Sequence, residues 1–254
     1  MWTRLCAEAG LAADDLRPRS SPEWALAVFG LTAIALMATA PMDLGMMRLC
    51  AGGGVALAAS VRASLATGAL ANAGGHWALM TAVMAPLLAI QPLRHVLFRS
   101  YAWRRGRAAA AFIAGYLLVW LAAGIVPLAA ALAAAAVGGD TGVRALGLGL
   151  VAAATLWAFA PARHRAVRRC RRTPALAATG PRADRDCLAF GMGQGLECVF
   201  VCGPLMAALA TLSHGPILTI ATGLWLWLER GRGGAAAIAS ALAAATLGSV
   251  ALLA

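Results

Sequence analysis

The chain contains no lysine, and all 21 of its basic residues are arginines. This absence excludes chemistry that needs a lysine amine, including the lysine of a phosphate-binding loop and a lysine that forms a Schiff base. Charge is also scarce, because only 12% of the residues are charged, about half the share in an ordinary soluble domain. Too little polar surface is available to cover a water-soluble globule of this length.

Apolar residues make up 61% of the chain and fall into runs close to the roughly 20 residues that a bilayer-spanning helix needs. Helices satisfy their own backbone polar groups in lipid. The sequence therefore predicts an all-α fold, a polytopic transmembrane helix bundle of about seven spans, with a range of six to eight. The predicted spans are residues 24–42, 76–96, 108–130, 142–161, 187–212, 215–229 and 234–254.

Two regions make up the predicted domain organisation. Residues 1–23 carry charges of both signs and are expected to form an extramembrane tail or interfacial segment. Residues 24–254 are expected to form a single transmembrane helical domain. Residues 43–75 are rich in Gly and Ala but contain several charges, so whether they span the membrane stays open.

The net charge of +11 comes from arginines that cluster in the loops at 97–107 and 162–186. Arginines beside apolar runs are typical of cytoplasmic loops in membrane proteins. We therefore predict a multi-pass protein of the bacterial inner membrane whose partner is the lipid bilayer, with no binding to nucleic acid. In this topology His76 and His214 lie on the periplasmic side.

Six residues with sulfur or imidazole side chains follow one-turn spacing along two spans: His76, Met80 and Met84 in one, and Cys198, Cys202 and Met206 in the other. Side chains four residues apart lie on one helix face, and these groups are the ligands that soft ions such as Cu(I) prefer. The pattern predicts a metal site, with a copper ion as the first candidate. Ordinary packing by Met and Cys remains the alternative. A disulfide between the two cysteines is not expected.

A second group of soft side chains lies near the predicted periplasmic side, where an ion would first be received: Met42, Met46, Met47 and His214. The alternative is that the loop after the predicted span 24–42 packs these methionines on the membrane surface.

Gln194 and Glu197 are polar residues within the predicted span 187–212. An ionisable group within a span is costly and suggests a functional site. The alternative is a protonated Glu197 that hydrogen-bonds across helices.

Two sequence blocks resemble the signature of a bacterial family of predicted metal-binding integral membrane proteins, catalogued as domain of unknown function 2182. The first block is HWALMTAVMAP, and the second is GLECVFVCGPLM, followed later by LWLWLER. The matching positions are Trp77, Met80, Met84, Pro86, Cys198, Cys202, Leu205 and Met206, with Glu229-Arg230 in place of a Glu-Lys pair. The resemblance covers residues 76–230 and implies a metal-binding membrane protein.

Four positions depart from that family pattern: Val83 replaces a Met, Val201 a Cys, Gly203 a Trp and Ile217 a Met. Three of these changes remove soft donors, while the predicted helices are unaffected.

The leading hypothesis is a membrane protein that binds or relays a soft metal ion from the periplasmic side, together with another membrane or periplasmic protein. The alternative is a structural or assembly subunit without a metal site, which docks its partner through small residues such as Gly191 and Gly195. Further alternatives are a haem b protein with His76 and His214 as axial ligands and a proton-coupled permease that uses Glu197. No nucleophile–base pair or paired carboxylates occur at a useful spacing, so we do not expect an enzyme.

Overall fold

The structure is a computed structural model that describes residues 22–39, 68–212 and 216–232. In these ranges all regular structure is helical, which confirms the predicted all-α class. The elements are α1 (Pro22–Thr39), α2 (Ala69–Arg99), a 3₁₀ turn (Ala102–Arg104), α3 (Arg105–Ala123), α4 (Ile125–Ala158), α5 (Pro161–Arg169), α6 (Gly180–Thr211) and α7 (Pro216–Arg232). The predicted span 234–254 and most of the predicted tail and of the segment 43–75 lie outside the described residues.

Three helical segments are long and apolar enough to cross a membrane, judged by length and composition: Leu70–Arg99, Ala102–Ala158 and Gly180–Thr211. Two shorter apolar segments, Val28–Met37 and Ile217–Glu229, accompany them. The first long segment contains the whole predicted span 76–96, and the third contains the predicted span 187–212 except for its last residue. Hydrophobic run length thus identified these helices correctly, although both begin six or seven residues earlier than predicted.

The long segment Ala102–Ala158 contains α3 and α4, and it changes direction within α4, at Gly139. This glycine has φ 56° and ψ −139°, a backbone conformation that glycine adopts at no steric cost. A Cβ on Gly142 would overlap the carbonyl oxygen of Ala134, whereas eight residues of a straight helix span about 12 Å. The two halves of α4 therefore come together beside the turn, which separates the predicted spans 108–130 and 142–161.

Helices α3 and α6 approach each other so closely that their backbones touch through glycines. A Cβ on Gly191 would overlap the carbonyl oxygen of Phe112, and a Cβ on Gly115 would overlap that of Leu188. Small residues allow this kind of contact between apolar helices. Gly191 therefore packs tightly inside the chain, which leaves that glycine no room to serve as a docking face for a partner.

Two arginines from the segments predicted as cytoplasmic loops are buried and ion-paired, which the sequence did not predict. Arg163 of α5 donates two hydrogen bonds to the carboxylate of Glu229, at 2.5 and 2.6 Å. Arg104 pairs with Asp184, and Arg107 reaches the same carboxylate at 2.6 Å. A buried arginine requires such a partner because an unpaired charge in an apolar interior is very costly.

The α3–α6 contact predicts unequal effects of alanine at two glycines of α6. At Gly191 an added methyl group meets the Phe112 backbone, so we expect Gly191→Ala to destabilise the fold by about 3 kcal/mol. At Gly193 a Cβ meets nothing within 4 Å, so Gly193→Ala should be neutral or stabilise by up to about 1 kcal/mol. Thermal unfolding of the two purified variants measures the difference, and equal stabilities would contradict the described packing.

The buried Arg163–Glu229 pair generates a second prediction. Glu229→Gln leaves the Arg163 guanidinium buried without a counter-charge, and we expect a loss of about 3–5 kcal/mol of stability. Replacing both partners, as R163M/E229L, should recover most of that loss. The control is Arg107→Gln, whose side chain is 74% exposed and should cost at most about 1 kcal/mol. Similar melting temperatures for E229Q and R107Q would show that the buried pair contributes little.

Candidate metal centre

The two cysteines of α6 form a close thiol pair in the protein core. Cys198 and Cys202 lie one helical turn apart, their Sγ atoms are 3.8 Å from each other, and the Cys202 thiol donates to the carbonyl oxygen of Cys198 at 2.9 Å. The separation is far beyond a disulfide bond of about 2.05 Å. Two sulfurs that share one tetrahedral ion at about 2.3 Å lie about 3.7 Å apart. The pair is therefore spaced to hold a single ion without backbone movement.

Tyr116 of α3 is hydrogen-bonded to this pair. Its hydroxyl group donates to the Sγ atom of Cys198 at 3.2 Å, and the tyrosine side chain is buried. A hydrogen bond of this kind stabilises a thiolate and orients it toward a metal. Sequence reasoning missed Tyr116, which lies 82 positions before Cys198. The available signal was its rarity, because the chain has only two tyrosines and this one lies inside an apolar run.

The predicted methionines lie in the same core. Met80, Met84 and Met206 are at most 2% exposed and belong to one continuous cluster of buried residues with Cys198 and Cys202. The structure therefore places the two methionines of the α2 stripe and all three sulfur-bearing residues of the α6 stripe within a single interior.

The remaining candidate ligands differ in position. His76 lies one turn before Met80 and is half-buried. Met42, Met46, Met47 and His214 lie outside the described residues, so their proposed part in receiving an ion stays a prediction.

Trp77 closes the core on the α2–α3 side. Its indole Nε1 donates to the carbonyl oxygen of Trp120 at 2.8 Å, and the two ring centroids are 6.0 Å apart. A Cβ on Gly124 would overlap the Trp77 indole. The glycine at the end of α3 thus provides the space that the ring occupies.

Glu197 is ion-paired to Arg169, a contact that the sequence did not predict. Its Oε1 accepts a hydrogen bond from Nε of Arg169 at 2.7 Å, and its side chain is 25% exposed. The second oxygen, Oε2, is buried and has no hydrogen-bond partner among the described residues. Gln194, one turn earlier, is buried. Hydrophobicity placed Glu197 within a span but could not show that α5 folds back to bring an arginine to it.

Pro204 lies inside α6 and interrupts the backbone hydrogen bonds of the turn that carries Cys202. Proline has no amide hydrogen, so the carbonyl oxygen four residues earlier lacks its helical donor. That oxygen belongs to Phe200 and accepts a hydrogen bond from Trp157 Nε1 at 2.9 Å. The next carbonyl, of Val201, accepts one from Arg163 Nε at 3.2 Å. Side chains from α4 and α5 therefore hold this turn in place. In the sequence, the proline indicated that a helix carbonyl group would need a donor from elsewhere.

Two departures from the family pattern lie away from the thiol pair's cluster. Val83 packs with Ala33 and Met37 in one separate cluster. Val201 packs with Ala166, Val167 and Cys170 in another. The sulfur-bearing residues that the chain retains lie in the main core, so these two replacements leave that core's donor set intact.

The donor set favours a soft ion. Among the residues of 22–39, 68–212 and 216–232, no three His, Cys, Asp or Glu side chains come together as a metal-binding group. Two thiols accompanied by thioethers are typical of Cu(I) sites, whereas Ca²⁺ and Mg²⁺ require several oxygen ligands. The chemistry of these residues fits Cu(I).

Comparison with known proteins agrees with this chemistry. No curated protein and no solved structure matches the chain. The family model described as "PpoB2: Copper chaperone" matches residues 74–253, which is more than half of the chain and includes most of α2, all of α3 and α6, and the pair Cys198 and Cys202. The match supports a copper-related role, and the chain belongs to the PpoB2 copper chaperone family.

Proposed function

We propose that this protein is an integral membrane copper chaperone that holds Cu(I) at the thiol pair of Cys198 and Cys202. The observation that carries the proposal is the 3.8 Å separation of the two buried sulfurs, inside the region that matches a copper chaperone family. Copper is the cargo in this function. The chain binds it and releases it to another membrane or periplasmic protein without chemical change of a substrate.

The surrounding donors suit a monovalent ion in an apolar core. Cu(I) held by two thiolates carries a single net negative charge, and each methionine thioether adds a donor without adding to that charge. Met206, one turn beyond Cys202, and Met80 and Met84 on α2 supply the thioethers. The Tyr116 hydroxyl supports the charge on Cys198, as outer-shell hydrogen bonds do in metal sites.

The proposed placement is in the bacterial inner membrane, with residues 24–254 as one multi-pass domain of about seven spans. The three long apolar segments support membrane association. Positive loops favour the cytoplasmic side, so the basic end formed by Arg104, Arg107 and the segment after α5 would face the cytoplasm. The start of α2, with His76, would then face the periplasm, from which an ion would pass along Met80 and Met84.

A scaffold without a metal site is supported less well. That hypothesis uses Gly191 and Gly195 as docking faces, but both glycines pack against α3 within the chain. A scaffold also gives no reason for a tyrosine hydroxyl directed at a cysteine sulfur.

The copper proposal predicts metal content. Wild-type protein loaded anaerobically with Cu(I) should retain about one ion per chain after desalting, because two thiols share one ion at this spacing. The C198A/C202A variant should retain close to none, measured by inductively coupled plasma mass spectrometry. The control is Cys187→Ala, which removes a buried thiol from the same helix outside the pair and should load like wild type. Equal loading of the double variant and wild type would refute the site.

Tyr116 gives a more specific prediction. Tyr116→Phe removes only the hydroxyl that donates to Cys198, and we expect Cu(I) affinity to fall by roughly tenfold or more, as for other outer-shell partners of metal ligands. Competition with a chromogenic Cu(I) chelator measures the affinity. The control is Tyr101→Phe, at the chain's other tyrosine, which is exposed. If Y116F and Y101F bind copper equally well, the hydrogen bond does not act on the metal site.

A further inference from the structure

A cavity of about 560 Å³ lies at the basic end of the bundle, and the copper site does not use it. Its apolar wall is formed by Leu88 and Pro92 of α2, Phe190 of α6 and Trp227 of α7, and its polar side includes Arg171 and Arg172. This volume falls within the range of protein ligand pockets. The cavity therefore combines an apolar interior with a cationic mouth.

The two arginines at the mouth differ from the structural arginines nearby. Arg104, Arg107, Arg163 and Arg169 all pair with carboxylates. In the described part of the chain, Arg171 and Arg172 form no such ion pair, and both are exposed. Their positive charge is therefore available to a ligand.

The backbone that carries these arginines is anchored on both sides. Before them, Arg169 is bound to Glu197 at 2.7 Å. After them, His95 Nε2 donates to the carbonyl oxygen of Pro174 at 2.9 Å, and the amide of Ala177 donates to Asp186 at 3.1 Å. The mouth is thus held in place before any ligand binds, which lowers the entropic cost of binding.

We infer that this cavity binds an anionic phospholipid, with the phosphate head group between Arg171 and Arg172 and the first part of an acyl chain against the apolar wall. The inference depends on the membrane placement proposed above, which puts this end at the cytoplasmic surface. Basic pockets between membrane helices on that side bind anionic lipid head groups. Trp227 of the wall is 38% exposed, which suits the membrane interface, where tryptophan is enriched in membrane proteins.

The test uses the full-length protein, delipidated in detergent and kept free of copper. Phosphatidylglycerol is added, and its retention is measured by native mass spectrometry. We expect selective retention over phosphatidylcholine, because only the former leaves a net negative charge for the arginines. We expect R171Q/R172Q to weaken retention by roughly tenfold or more, since each arginine contributes to lipid attraction. Equal retention of both lipids by wild type would overturn the inference.

The matched control is R182Q/R185Q, which removes the same charge from exposed positions at the start of α6 that do not line the cavity. It should retain phosphatidylglycerol like wild type. Equal loss in both double variants would show that retention depends only on overall charge and would overturn the site.

Glycerol phosphate, which has the head-group charge without acyl chains, should bind much more weakly than phosphatidylglycerol; equal binding would overturn the lipid assignment. Copper loading of R171Q/R172Q should match wild type, so failure of the lipid site is distinguishable from failure of the copper site.

Discussion

The close approach of α3 and α6 is the constraint on which the rest of the structure depends. Gly115 and Gly191 bring the two backbones into contact, and this contact sets the distance of every side chain between the helices. Tyr116 follows Gly115 directly, and Cys198 lies two turns beyond Gly191, so the hydroxyl reaches the sulfur at 3.2 Å. A larger residue at either glycine would separate the helices and move the hydroxyl away from the thiol.

Hydrophobic run length was sufficient to predict the all-α class and the long helices α2 and α6, and one-turn spacing singled out cysteines and methionines that share the core. Both signals are local, since each depends on residues within a few turns of one another. Tyr116, Trp157 and Arg163 could not be found in this way, because their contacts with α6 join positions 38 to 82 residues apart. The glycines that allow the helix contact were visible in the sequence, but a glycine does not indicate which neighbour it approaches.

The arginines show what composition alone could not predict. The tendency of arginines to lie in cytoplasmic loops applies to every arginine near an apolar run. In the structure, Arg163 and Arg104 are buried against carboxylates, whereas Arg171 and Arg172 are exposed. The distinction depends on where Glu229 and Asp184 lie after folding. Glu229 ends the second block of the family pattern, so the acid was identified from the sequence while its partner was not. The pair connects α7 to α5 and, through Val201, to the turn that carries Cys202.

The complete burial of Cys198 and Cys202 has a kinetic consequence for a carrier of metal ions. If an ion binds there as proposed, burial would deny it a direct route to solvent, and its exchange rate would be set by how often the surrounding helices separate rather than by the strength of the metal–sulfur bonds alone. Small chelators would then remove copper slowly even when they bind it more tightly.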